Sequence, residues 1–99
     1  MSLSEKQLRY LRGRAHPLKP VIQIGQHGLT AGVCAETTRA LADHELIKVR
    51  VQGAERTARD QLIAELAQQT ASELVTRIGH TAVLFKARTP LSRIPLPEA

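Results

Sequence analysis

Apolar and polar positions follow two periods along this chain, and the switches between them mark its elements. Leu8, Leu11 and Ala15 recur at helical spacing, with Lys6, Arg9 and Arg12 on the remaining faces. Ser4 and Gln7 have the spacing of a capping box, and Leu3 can staple onto Leu8, so a helix starts here. Pro17 and Pro20 end it and favour extended backbone between them. Val21 to Ile24 is a short strand, and Gly25-Gln26-His27-Gly28 is a turn. Thr30 caps a second helix, with Leu29 and Cys34 as its staple and Val33, Cys34, Thr37 and Leu41 as its core stripe. From Leu46 to Gln52 the pattern alternates strictly: Ile47, Val49 and Val51 face one way, Lys48, Arg50 and Gln52 the other. Thr57 with Asp60 marks a third helix start, with Leu62, Ile63 and Leu66 as the apolar stripe. Leu74 to Ile78 and Ala82 to Lys86 are strands joined through Gly79-His80 as a hairpin.

The predicted order is α-β-α-β-α-β-β. It reads as an α/β fold in which helices pack on a mixed four-stranded sheet in two or three layers, the last hairpin supplying an antiparallel strand. Ninety-nine residues leave room for one core. The expected division is a domain over residues 1–88 and a tail over 89–99, where three prolines and no periodicity occur.

Composition narrows the function. No apolar run approaches a membrane span, and the first residues lack the apolar stretch of a secretory signal. One cysteine permits no internal disulfide, so a cytoplasmic protein with no membrane partner is expected. The net charge is +5 and the sequence pI is about 10.2. The excess sits at the ends: residues 1–20 carry five basic groups against one acidic, and residues 73–99 four against two, while the middle is nearly balanced. A segregated basic field suits a polyanion.

The strand-to-helix turn is the first candidate site. Gly25 and Gly28 let the backbone turn tightly and approach a ligand, and Gly32 keeps the first helical turn uncrowded. The helix N-terminus behind them aims N–H groups and a positive dipole end at the same place. A plain connecting turn would have the same sequence. No Gly-Lys-Ser/Thr follows, which removes nucleotide hydrolysis by a P-loop. Lys48 and Arg50 form a second candidate, projecting from the sheet face that Lys86 is expected to share; a merely solvated face would look alike. Arg9 and Arg12 extend the basic footprint. Tyr10 and Phe85 are the only aromatic residues, too few for base stacking as a main mode, so if the polyanion is RNA, contacts to phosphates, 2′-hydroxyls and shape are expected. His16, His27, His44 and His80 have no metal-ligand spacing, and no acid/base pair is visible. No metal, cofactor, small-molecule substrate or enzymatic activity is therefore expected. The alternatives are an adaptor whose basic face meets an acidic protein and, less favoured, an RNA-processing enzyme.

Four stretches in register carry a resemblance: Ala15-His16-Pro17-Leu18-Lys19-Pro20, Ile24 to Val33, His44 to Val49, and Ile78 to Lys86. From about Leu3 to Arg88 the chain resembles the CRM domain family, in its free-standing bacterial YhbY-like form. The resemblance implies an RNA-binding domain with a fold similar to the C-terminal domain of translation initiation factor 3. It implies a GxxG loop, Gly25, Gln26, His27 and Gly28, on RNA, and adds Lys19, Lys48 and Lys86 from the matching stretches. It also implies ribosomal RNA in large-subunit precursors as partner, and a role in ribosome assembly. A monomer is expected. The chain departs from the family pattern in two places. Gln26-His27 brings no permanent charge into the loop, and Phe85-Lys86 replaces the usual Tyr-Arg, so the bidentate phosphate fork is lost.

Overall fold

The computed structural model describes residues 3–53, 55–88 and 92–99. The first two residues and the start of the expected tail, 89–91, lie outside them. The elements are α1 (Glu5–Ala15), β1 (Pro20–Ile24), α2 (Ala31–His44), β2 (Leu46–Val51), α3 (Arg56–Gln69), β3 (Glu73–Ile78) and β4 (Thr81–Phe85). The order is the one the pattern predicts. At the start of α1, Gln7 N–H donates to Ser4 Oγ (3.1 Å) and Ser4 N–H to Gln7 Oε1 (3.0 Å), completing the capping box. At α2, Val33 N–H donates to Thr30 Oγ1 (3.1 Å). The third start differs from expectation: Glu55 is the N-cap, without a side-chain cap bond, and Thr57 already lies inside the helix.

The sheet order is β1-β2-β4-β3. β1 runs parallel to β2, and β4 pairs antiparallel with both β2 and β3. The hairpin therefore does more than add an edge: its second strand enters between β2 and β3, leaving β1 and β3 as edges. Gly79 opens the two-residue turn at φ +59, a value a β-carbon disfavours and primed hairpin turns require.

Helices cover both faces, unequally. On one, Leu41 of α2 and Ile63, Leu66 and Ala67 of α3 pack on Ile22, Ile24, Ile47, Val49, Val51, Ala82 and Leu84. On the other, Leu11 and Ala15 of α1 pack on Leu46, Val75, Val83 and Phe85. Val75 reaches this second core through an irregularity between Leu74 and Thr76, which shifts the side-chain alternation of β3. The arrangement is one compact α/β domain in three layers, the third only half complete.

Residues 92–99 carry no regular element and pack back onto the domain. Ile94 is buried against the α1 side and Leu96 packs beside it. Gln7 Nε2 donates to the Pro97 carbonyl (3.0 Å). Ser92 Oγ and Arg93 N–H both donate to the buried Glu45 carboxylate, at 2.6 and 2.8 Å.

Candidate nucleic-acid interface

The parallel strands bring three loops to one end of the sheet. Gln52 N–H donates to the Ile24 carbonyl (2.9 Å) and Val51 N–H to the His80 carbonyl (2.8 Å). The GxxG turn after β1, the β2–α3 connection and the β3–β4 hairpin thus sit together, with the N-termini of α2 and α3 at the same end. Open α/β sheets place ligands at this edge, beyond the carboxyl ends of their parallel strands.

Within the loop, Gly28 N–H closes a turn onto the Gly25 carbonyl (3.0 Å). Gly28 has φ +68, where only glycine is at ease, and a β-carbon there would lie 3.9 Å from Leu62 Cδ2 of α3. Gly25 has open space around it, and Gly25, Gln26 and His27 are exposed. Behind the loop, Thr30 takes the Val33 amide, while the Ala31 and Gly32 amides have no intrahelical acceptor because they precede the first helical bond. A β-carbon on Gly32 would meet only Thr30 Oγ1, at 3.8 Å. The loop thus presents exposed backbone before a helix N-terminus, a geometry that accepts an anionic oxygen.

Lys48 and Arg50 project from β2 on the face opposite Ile47, Val49 and Val51, which α1 partly covers. Two rows of paired residues cross the sheet there. One runs Gln23–Arg50–Thr81–Ile78, the other Pro20–Lys48–Val83–Thr76. α1 leaves much of both rows uncovered: Arg50 and Ile78 are exposed and Lys48 is half-buried. Lys48 also has a structural contact, Nζ donating to the His16 carbonyl at the end of α1 (3.2 Å).

The remaining sequence candidates do not converge on the loop. Lys19 precedes β1 and Lys86 follows β4, both at the far end of the sheet from Gly25–Gly28. Lys86 does not share a face with Lys48 and Arg50. Lys48 pairs with Val83, so alternation turns Lys86 to the α2–α3 side, where Nζ donates to the Thr70 carbonyl (3.1 Å). Arg9 and Arg12 are exposed on α1.

A comparison with protein families matches residues 3–86 to the CRS1/YhbY (CRM) domain. The chain belongs to this family. This CRM domain is 44% identical over 97 residues to an RNA-binding protein of Haemophilus influenzae, covering 98% of the chain and 97% of that protein. It is 45% identical to a probable RNA-binding protein of Pseudomonas aeruginosa, over 87% and 83% of the two chains. The solution structure of a Staphylococcus aureus protein proposed to bind RNA superposes with a TM-score of 0.84 at 35% identity, over 97% and 100%.

The CRM domain also gathers basic residues that sequence reading passed over. Arg56 and Arg59, one turn apart in α3, and Arg77 of β3 line a polar recess of about 330 Å³ with Asp60 and Gly79, beside the GxxG end. Asp60 pairs with Arg77. Arg59 Nη1 lies 3.3 Å from His80 Nδ1, which in turn lies 3.2 Å from the Val51 carbonyl, tying the hairpin to α3. Arg56 and Arg59 fall in the charge-balanced middle of the chain, so only the strand order, with β4 inserted, reveals their neighbours. Among the described residues no group of three or more His, Cys, Asp or Glu side chains is placed to hold a metal ion. No helix among them is long and apolar enough to cross a membrane.

Proposed function

We propose that this CRM domain binds structured RNA without catalysing a reaction on it, and that its RNA is ribosomal, in precursors of the large subunit. The observation that carries RNA binding is the shared end of the sheet: an exposed GxxG backbone, two helix N-termini and Arg56, Arg59 and Arg77 occupy one edge. Phosphates accept hydrogen bonds from such amides and neutralise such charges. The relatives named as RNA-binding proteins support the same partner. The ribosomal assignment rests on the resemblance to free-standing YhbY-like proteins, which also favours a cytoplasmic site of action.

In this reading the Gly25–Gly28 turn and the start of α2 hold one or two phosphates, while Arg50 and Lys48 extend the contact along the sheet. Binding is then dominated by counterion release and falls steeply with salt. The test is sedimentation of a lysate on sucrose gradients at low and high salt. Comigration with large-subunit precursors, lost at high salt and restored on precursor RNA stripped of protein, is the expected result. A protein that stays at the top of the gradient at both salts removes the ribosomal assignment. Binding lost on stripped RNA favours a protein partner instead.

A further inference from the structure

The uncovered half of the sheet holds a groove that the phosphate-binding reading leaves without a role. It measures about 300 Å³ and is lined by His16, Pro20, Lys48, Thr76, Ile78, Thr81 and Val83. Ile78 is 73% exposed, the most exposed of the large hydrophobic residues on the described surface. It belongs to neither hydrophobic core. A large aliphatic side chain standing in water inside a basic patch stabilises nothing in the folded chain that its exposure would reveal. Its apolar area gains only when something covers it.

The surroundings say what kind of molecule would do so. A second groove lined by Lys19, Pro20, Val21, Ile22, Gln23 and Arg50 adjoins the first across β1 and β2, sharing Pro20. No carboxylate is among the residues that line either groove, whereas Lys19, Lys48 and Arg50 are. The rim is complementary to a polyanion and the floor is not. The lining combines Thr76 and Thr81 with the exposed aliphatic Ile78 and Pro20, with Val83 buried beneath them and His16 contributed from the end of α1. Hydroxyls can both donate and accept, and exposed aliphatic surface can cover the face of a heterocycle. A fully paired helix presents phosphates to such a rim but nothing to fill the floor.

We infer that the groove between His16, Pro20 and Ile78 receives an unpaired nucleotide of the bound RNA, its base against Ile78 and its flanking phosphates toward Lys48 and Arg50. This rests on the RNA-binding reading and deepens it. It makes the sheet face a reader of single-stranded positions, although the chain lacks the aromatic platform such surfaces usually carry. From Gln23 to Ile78 the row spans three strand spacings of about 4.8 Å, enough for a nucleotide and the phosphate beside it.

The experiment uses the full chain and two RNA hairpins of equal length and charge, one with a single-nucleotide bulge and one fully paired. Affinities are measured across a salt series for the wild type, Ile78→Ser and Arg50→Gln. The expected result is tighter binding of the bulged RNA by the wild type. Ile78→Ser should remove most of that preference, a loss of roughly five- to tenfold on the bulged RNA from forfeited apolar contact, with the salt slope unchanged. Arg50→Gln should weaken both RNAs and lower the slope by about 0.7–0.9. Ile78 is exposed, so an unchanged melting temperature confirms that the variant is folded. Equal affinities of the wild type for the two RNAs overturn the inference, as does an Ile78→Ser effect of the same size on both. If the wild type binds neither RNA, the RNA-binding reading itself fails, and capture of an acidic protein segment by the same face would assign the groove to that partner.

Discussion

Lys86 Nζ donates to the carbonyl of Thr70, the residue that closes α3, at 3.1 Å. The same device occurs at the other two helices. Lys48 Nζ reaches the His16 carbonyl after α1 (3.2 Å), and Arg88 Nε the Ala42 carbonyl in the last turn of α2 (2.6 Å). Each cation meets carbonyls that have no intrahelical donor, at the negative end of the helix dipole. Some of the chain's basic excess thus holds helix ends to the sheet. Replacing Lys86 with methionine should lower stability by about 0.5–1 kcal/mol while leaving RNA affinity within about twofold, because the ammonium lies at the far end from the GxxG loop. Denaturant titration and filter binding on one preparation would check this. A large affinity loss at unchanged stability would return Lys86 to the interface.

Glu45 explains much that the sequence did not disclose. It sits at φ 65 after α2, is 2% exposed, and its backbone N–H donates to the Leu41 carbonyl (2.8 Å). Burial alone would raise its pKa. The Ser92 hydroxyl and Arg93 amide, with the charges of Arg88 and Arg93, outweigh that and hold the carboxyl below its ordinary value. A depressed folded-state pKa gives stability that is present above the unfolded value, near 4.5, and lost as pH falls through the folded value. Glu45→Gln should therefore destabilise the chain by about 1–3 kcal/mol at neutral pH and flatten the acid limb of the stability–pH curve. Parallel acid limbs in the two proteins would show that the carboxylate is not what fastens the C-terminal segment.

The elements themselves were legible because each obeys a local rule. The Ser4–Gln7 box, the Thr30 cap and the Ile47–Val49–Val51 alternation need only near neighbours. What escaped depends on distant ones. Ile94 and Leu96 stand among prolines without a period, so nothing in the sequence marks them as cover for Leu11 and Phe85. The placement of Lys86 follows from the register between β2 and β4, and Arg56, Arg59 and Arg77 become neighbours only once β4 enters between β2 and β3. The GxxG turn was visible as a motif. That a second helix N-terminus lies beside it was not.

The two loop glycines separate geometry from electrostatics. Gly28 requires a positive φ, so Gly28→Ala should cost about 1–2 kcal/mol and lower the melting temperature by several degrees, even though 3.9 Å to Leu62 Cδ2 is room enough for a methyl group. Gly25 has open space and no such φ, so Gly25→Asp should melt as the wild type does. A carboxylate added to the loop that precedes α2 would repel a phosphate bound there and should reduce RNA affinity by about tenfold or more. A Gly25→Asp variant that binds RNA normally would remove the loop from the interface. Gly28→Asp alone could not decide the matter, because strain and charge change together there.

The α3 corner offers a gain-of-function test. Asp60 pairs with Arg77, and both side chains are 38% exposed, so the pair contributes little stability, about 0–1 kcal/mol after solvent screening. Its larger effect is on the field: Asp60 lines the recess with Arg56, Arg59 and Arg77 and subtracts one charge from it. If RNA phosphates reach this recess, Asp60→Asn removes a repulsion and releases Arg77 for the ligand. Affinity should then rise about three- to tenfold at low salt, and the gain should shrink as salt screens the corner. A gain larger than that from neutralising a surface carboxylate away from this corner, such as Glu36 on α2, places the recess in contact with RNA, because net charge alone would act equally from either position. An unchanged affinity at every salt confines the interface to the GxxG loop and the sheet face.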